Sequence, residues 1–229
     1  MNDEGGDVSF FKRKIDELQA KRAERESAKS LEDAFGKSIR ELQTIFRSGS
    51  LDLEKQQVPA YPKPIYQGDA GINAFGLAHH VQPDQFPALL NLVRQGRNEV
   101  AYFHFVREVG GQSLSTVISP KWRFAERVVR LLSNDVELIA ELSEQGFHPP
   151  PPWITLYEFG PVLHVSQGDP HYWLNYVWDS FWESLSLDEQ TSFLEAGRKE
   201  TDAYISTEDW ELWVESIRMR DARFRKLEV

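Results

Sequence analysis

The sequence predicts a mostly helical α+β protein in which two short antiparallel β-hairpins are wrapped by amphipathic helices. Apolar residues recur at helical spacing in most long segments, and two stretches rich in aromatic and β-branched residues flank glycine turns. The 229 residues are 41% hydrophobic and 27% charged, which is typical of a globular protein. We expect a disordered lead-in at 1–8 and a single domain over 9–229, because no long polar linker divides the chain.

An N-terminal helical hairpin is predicted over residues 9–47. Its first helix, 9–29, loses its apolar stripe after Leu18. Its second helix, 31–47, has Ser30 as the expected N-cap. The stripe of this second helix is Leu31, Phe35, Ile39, Leu42 and Phe46. We expect the pair to pack against the body, because the three or four unbroken heptads of a free coiled coil are missing.

Residues 48–146 are predicted to hold the first β-hairpin. Prolines and glycines at 48–82 favour an irregular connection with at most one short strand. A helix follows at 83–95. The strands are then Glu99 to Glu108 and Ser113 to Ser119, joined by a Gly-Gly turn.

Ser119-Pro120 has the pattern of a cap and first turn, and predicts a helix through Leu132. A second helical piece is expected between Asn134 and Gly146. The proline run that follows, 147–152, predicts a stiff strap that joins the halves 48–146 and 153–229.

In the second half, a hairpin is expected from Trp153 to Phe159 and Val162 to Ser166, around Gly160-Pro161. This hairpin either shares one small sheet with the first or stands apart. Three helices complete the prediction, at 170–185, 187–203 and 208–225.

The charge of the chain is concentrated in this second half. Residues 150–217 hold 13 acidic and two basic side chains, together with most of the seven tryptophans. Such a surface repels phosphate, which argues against binding of nucleic acid there. It suits a basic protein partner, because carboxylates steer association and aromatic residues supply contact area.

Several classes of function have no support in the sequence. The absence of cysteine excludes disulfides, thiolate nucleophiles and cysteine zinc sites. No nucleotide-binding, serine-hydrolase or cofactor motif occurs, so no cofactor is predicted. The N-terminus lacks a secretory h-region and no run of eighteen apolar residues exists, which predicts a cytoplasmic protein without a membrane partner.

The helix predicted at 170–185 supplies the candidate contact residues. At 100° per residue, its apolar half includes Trp178, which we expect in the core. Trp182 falls at the edge of that half, beside a polar side with Asn175. We therefore predict a partner-binding surface made of Tyr176, Asp179, Trp182 and Glu183.

Two alternatives stay open. The first is a metal-dependent hydrolase that uses His148, His164, Asp169 and His171, although no standard metal-ligand spacing is present. The second is a structural component of a secretion or phage assembly, with the N-terminal helices as the assembly element. We favour a non-enzymatic protein that binds a partner.

An acidic, tryptophan-rich, cysteine-free chain with stretches such as YVWDSFWESLSLDEQ and STEDWELWVES resembles the immunity proteins of bacterial polymorphic-toxin and type VI secretion systems. The resemblance is one of overall character across the chain. It implies a protein that binds a cognate toxin, for example a nuclease effector, and blocks its active site or substrate groove.

Overall fold

A six-stranded antiparallel sheet forms the centre of the computed structural model, which describes residues 19, 22, 25–47, 53–163 and 165–226. The strand order is β1-β2-β6-β5-β4-β3. The strands are β1 (Ile65–Tyr66), β2 (Phe75–Val81), β3 (Asn98–Ala101), β4 (His104–Val109), β5 (Gln112–Arg123) and β6 (Glu126–Ser133). The α+β class is therefore confirmed, but one six-stranded sheet replaces the two small hairpins that we expected.

Two N-terminal helical segments precede the sheet. Helix α1 covers 25–35, and α2 is Ile39–Ile45. The helix continues through Ser30, so the predicted N-cap there is wrong. It breaks instead at Gly36, whose left-handed φ of 63° favours glycine, and α2 then begins with a capping box of Ser38 and Glu41. The lead-in 1–8 and most of the predicted first helix lie outside the described residues.

The first predicted hairpin is confirmed in its turn and its partner strand. β4 and β5 pair with Val109 opposite Gln112, and Gly110 and Gly111 occupy the turn with positive φ. The expected strand Glu99–Glu108 is in fact two strands, β3 and β4, that fold back on each other.

The helix predicted from Ser119 to Leu132 is wrong, because this segment is the β5–β6 hairpin. Pro120 is tolerated in β5 because β4 pairs with β5 only as far as Val117. Beyond that point β5 has β6 as its only partner strand in the described sheet, and proline is found at such edges.

The second predicted hairpin, 153–166, is also wrong. The proline strap runs directly into helix α5 (Pro152–Thr155), with Pro152 at its first position, and a short 3-10 turn at Tyr157–Phe159 follows. Trp153 and Leu156 are both buried and lie three residues apart, which is helical spacing.

All the remaining helices except α5, which replaces a predicted strand, lie where the sequence placed them with shifted ends, and the single helix predicted at 208–225 is divided into two. Helix α6 is continuous over an α-helical, a π-helical and a second α-helical segment. These helices are α3 (Phe86–Arg94), α4 (Val136–Glu144), α5 (Pro152–Thr155), α6 (Gly168–Tyr172, Trp173–Trp178 and Asp179–Trp182), α7 (Leu187–Thr201), α8 (Thr207–Arg218) and α9 (Ala222–Arg225).

Three hydrophobic clusters surround the sheet. Residues of α3 and α4 pack with one face of the strands. The helices α1 and α2 pack on Val117 and Leu132, as their apolar stripe predicts. The third cluster consists of α5 to α8. Phe181 of this cluster lies 5.4 Å from the Tyr61 ring and 5.6 Å from the His148 ring, so the C-terminal helices contact both the strap and the segment before β1.

Candidate functional site

The predicted contact helix, α6, is held by aromatic packing. Trp178 is completely buried; its ring stacks on those of Trp173 and Trp182 at centroid distances of 6.1 and 5.6 Å and meets the Phe181 ring at a tilt, 5.5 Å away. The expectation that Trp178 belongs to the core is confirmed.

Of the four predicted contact residues, only two present their side chains freely. Tyr176 is 64% exposed, and Glu183 is exposed. Asp179 forms a bidentate ion pair with Arg220, whose Nε and Nη2 donate to its two carboxylate oxygens at 2.6 Å. Trp182 is completely buried. Trp182 therefore belongs to the core, and its predicted role as a surface contact residue is wrong.

The π-helical segment gives a physical reason for the position of Trp182. A π turn contains more residues than an α turn, so side chains downstream of Trp173–Trp178 rotate relative to the 100° steps that we used. Helix α7 then completes the enclosure: the Phe193 ring lies 6.2 Å from the Trp182 ring, and Gln190 Nε2 donates to the Trp182 carbonyl at 2.8 Å.

The histidines of the alternative metal site have other roles where they are described. His148 is held by a 2.9 Å contact between Nδ1 and the Pro149 carbonyl, and its ring stacks on Phe181. Burial lowers the pKa of His148. Asp169 and His171 lie in the first segment of α6, and His164 lies outside the described residues. Among the described residues, no group of three His, Cys, Asp or Glu side chains could hold a metal ion.

A cavity of about 340 Å³ lies between α1, the sheet and α6. On the sheet side it is lined by Ala78 and His80 of β2 and by Arg130 of β6. Ala78 and Arg130 are directly opposite each other, and His80 is opposite Val128. Since side chains alternate along a strand, all four lie on the same face of the sheet.

A buried carboxylate fixes His80 at this cavity. Glu126 is 1% exposed; one of its oxygens lies 2.6 Å from His80 Nδ1, and the other accepts the indole N–H of Trp173 at 3.0 Å. Nε2 is therefore the ring nitrogen that remains for other hydrogen bonds. This group has no local signature in the sequence, because Glu126 is 46 residues from His80 and 47 from Trp173 and the three share no short motif.

The acidity of the C-terminal third is almost entirely on the surface. Of the 13 acidic side chains in 150–217, all except Asp179 are exposed. Helix α8 carries the most regular part of this surface. We define its acidic stripe as the exposed residues Glu208, Glu211, Leu212 and Glu215, whose spacing places them on one side of the helix.

The acidic stripe of α8 was also missed as a contact site, although its i, i+3, i+4, i+7 spacing is visible in the sequence. The tryptophans of α6 pointed to that helix instead. Six of the seven tryptophans are buried, and only Trp122, at the tip of the β5–β6 hairpin, is exposed.

Comparison with known proteins yields no family model, no curated protein and no solved structure that matches the chain. The resemblance to immunity proteins therefore stays a prediction. Within the part of the chain that the structure describes, every helix is too short or too polar to cross a membrane.

Proposed function

We propose that the chain is a non-enzymatic inhibitor of the immunity-protein type, which binds a basic protein partner through the acidic surface of its C-terminal third. The observation that carries this proposal is the exposure of 12 of the 13 acidic side chains between 150 and 217, against two basic residues in the same segment. A surface of one sign raises the rate at which an oppositely charged protein associates.

The acidic stripe of α8 is the best candidate for the contact, because two of its three charges, Glu211 and Glu215, do not stabilise the helix, whereas Glu208 lies in the first turn, where the helix dipole favours an anion. Glu211 and Glu215 are four residues apart, and like charges at this spacing destabilise a helix by about 0.2–0.5 kcal/mol. Glu215 also lies in the last turn, where the helix dipole disfavours an anion, although Arg218 partly offsets it. A basic partner would relieve this repulsion.

The composition of the stripe fits a protein contact. Leu212 is 42% exposed between the carboxylates, and Met219, one turn beyond Glu215, is 40% exposed. An apolar side chain surrounded by charges can be desolvated on binding while the carboxylates steer the approach. Tyr176 and Glu183 of α6 stay in the proposal as further exposed contacts, whereas Asp179 and Trp182 leave it.

The proposed partner is a cognate toxin, for example a nuclease effector. A nuclease must carry a basic surface to hold its phosphate backbone, and exposed carboxylates can occupy the same surface. The resemblance to immunity proteins supports this choice of partner.

The test uses the protein encoded by the neighbouring gene as the candidate toxin. Cells that produce this protein should grow only when the wild-type chain is coexpressed. The triple variant Glu208→Lys, Glu211→Lys, Glu215→Lys should lose protection, and its association rate in surface plasmon resonance should fall at least tenfold at low salt. This loss should shrink as salt rises, because screening acts over about 8 Å at physiological ionic strength.

The matched control reverses three exposed carboxylates outside the C-terminal third, Glu54, Glu108 and Glu144, with the same change in net charge. This control should protect like the wild type. If the two triple variants lose protection equally, net charge and not the stripe is responsible. If the wild-type chain neither binds nor protects, the proposal is wrong.

A further inference from the structure

The cavity between α1, the sheet and α6 carries cationic groups that the proposed protein contact does not use. The cationic residues that line it are Arg130 and Lys63, and the imidazole of His80 lines it as well. No residue that lines it within the described chain is Asp or Glu. In a chain with a formal net charge of −10, this is a local reversal of sign. We infer that the cavity binds a small organic anion, namely a carboxylate attached to an apolar body.

Arg130 is the principal group for the anionic end. Its side chain is half-buried on the sheet, and no ion pair or hydrogen bond joins its guanidinium to any residue that the structure describes. Glu26 and Asp33 line an adjoining cavity that Arg130 also borders, but neither forms an ion pair with it. A partly desolvated guanidinium without a carboxylate is stabilised by an anionic ligand, which it can bind with two parallel N–H donors.

His80 gives the site a fixed polar atom beside Arg130. Glu126 holds its imidazole through Nδ1 and is itself held by the indole N–H of Trp173, so the ring does not have to be ordered when a ligand binds. Preorganisation of this kind lowers the entropy that binding costs. Lys63, an exposed residue, adds a second full positive charge at the cavity.

The remaining walls specify an apolar body. The side chains that line the cavity include Leu31 and Phe35 of α1, Val177 of α6, and Tyr61 from the segment before β1. Its volume of about 340 Å³ is at the lower end of the range for small-molecule sites, roughly 300–1,000 Å³. A small inorganic anion would leave these apolar walls without contact, which is why we choose an organic carboxylate.

The experiment measures binding of octanoate to the full chain by isothermal titration calorimetry. Octanol, which has the same chain length without the charge, and inorganic phosphate, which has the charge without the chain, are the matched probes. Octanoate should bind at least tenfold more tightly than either. Equal affinity for octanol would overturn the anionic part of the inference, and equal affinity for phosphate would overturn the apolar part.

Variants locate the site. Arg130→Gln should weaken octanoate binding about tenfold, as expected for loss of one charge-assisted contact, and Arg130→Lys should restore part of the affinity. Ala78→Leu, which fills the cavity from the sheet, should abolish binding while circular dichroism stays unchanged. Lys199→Gln, on the exposed side of α7, should bind like the wild type. If Ala78→Leu binds octanoate as the wild type does, the ligand lies elsewhere and the inference is wrong.

Discussion

Replacing Trp182 by alanine tests whether this side chain is a core residue or a partner-contact residue. The side chain is completely buried, its ring stacks on Trp178 at 5.6 Å, and its indole nitrogen has no hydrogen-bond partner among the described residues. The substitution therefore breaks no side-chain hydrogen bond, and its cost comes from lost apolar contact and the cavity that remains.

The magnitude follows from the buried area. An aromatic side chain buries about 150–250 Å², which at about 25 cal/mol per Å² corresponds to roughly 4–6 kcal/mol. Alanine keeps part of this area, and extended-chain references overstate it, so we expect a loss of about 3–5 kcal/mol in the free energy of unfolding. With an m-value of about 2–3 kcal/mol/M, the urea midpoint should fall by about 1–2.5 M.

The assay is urea unfolding followed by far-UV circular dichroism, and Trp122→Ala is the matched control. Trp122 is 64% exposed and contacts mainly the Arg127 guanidinium, 4.2 Å from its ring centroid, so its loss should cost only about 0.5–1 kcal/mol. Trp182→Phe should retain much of the stability. If Trp182→Ala shifts the midpoint no further than Trp122→Ala does, the packing argument for α6 is refuted.

Two further predictions concern the core. In Gly197→Ala, the new Cβ would lie 2.3 Å from Cζ2 of the buried Trp153 indole. Overpacking should cost about 1–3 kcal/mol, more than the helix-propensity gain of about 1 kcal/mol. Thermal unfolding should therefore show a net loss of stability, which the control Ser192→Ala, at an exposed position of the same helix, should not show. Burial lowers the pKa of His79 from 6.5 to about 4, so the unfolded chain binds more protons and stability should fall as the pH drops from about 6.5 to 4. His79→Phe should flatten this fall in pH-dependent urea melts, and an unchanged slope would contradict the assignment.

The parts of the fold that were predicted correctly are those with a local chemical cause. Ser186 and Glu189 form a capping box at the start of α7, where the helix at 187–203 was predicted to begin, with both reciprocal hydrogen bonds present. Gly110 and Gly111 form the predicted turn. In each case the signal and the structure involve the same few residues.

The strands that were predicted wrongly have a different cause, because they depend on pairing with residues distant in the sequence. β2 alternates buried and less buried positions, but His79 occupies one of the buried positions and hides the apolar pattern. Val128, Val129, Leu131 and Leu132 of β6 are buried on both faces of the sheet, so this central strand shows no period of two. The Ser119-Pro120 pair then favoured a helix that the sheet overrides.

The candidate sites show the same contrast between features with a local signature in the sequence and features without one. The exposure of the C-terminal carboxylates follows from their charge, and burial of Trp178 follows from helical spacing. The rotation caused by the π segment of α6 and the ion pair of Asp179 with Arg220, 41 residues away, have no local signature. The position of Trp182 therefore could not be derived from an ideal helix.

The arrangement of the tryptophans also makes the chain a two-part optical probe. Six indoles lie buried in the C-terminal cluster, several of them within 6.1 Å of each other, and the seventh, Trp122, stands in solvent at the hairpin tip. Stacked indoles exchange excitation energy and emit from a water-free environment, whereas Trp122 emits from water and is open to collisional quenchers. Fluorescence from one unlabelled molecule therefore reports separately on the integrity of the C-terminal helices and on events at the tip of the sheet.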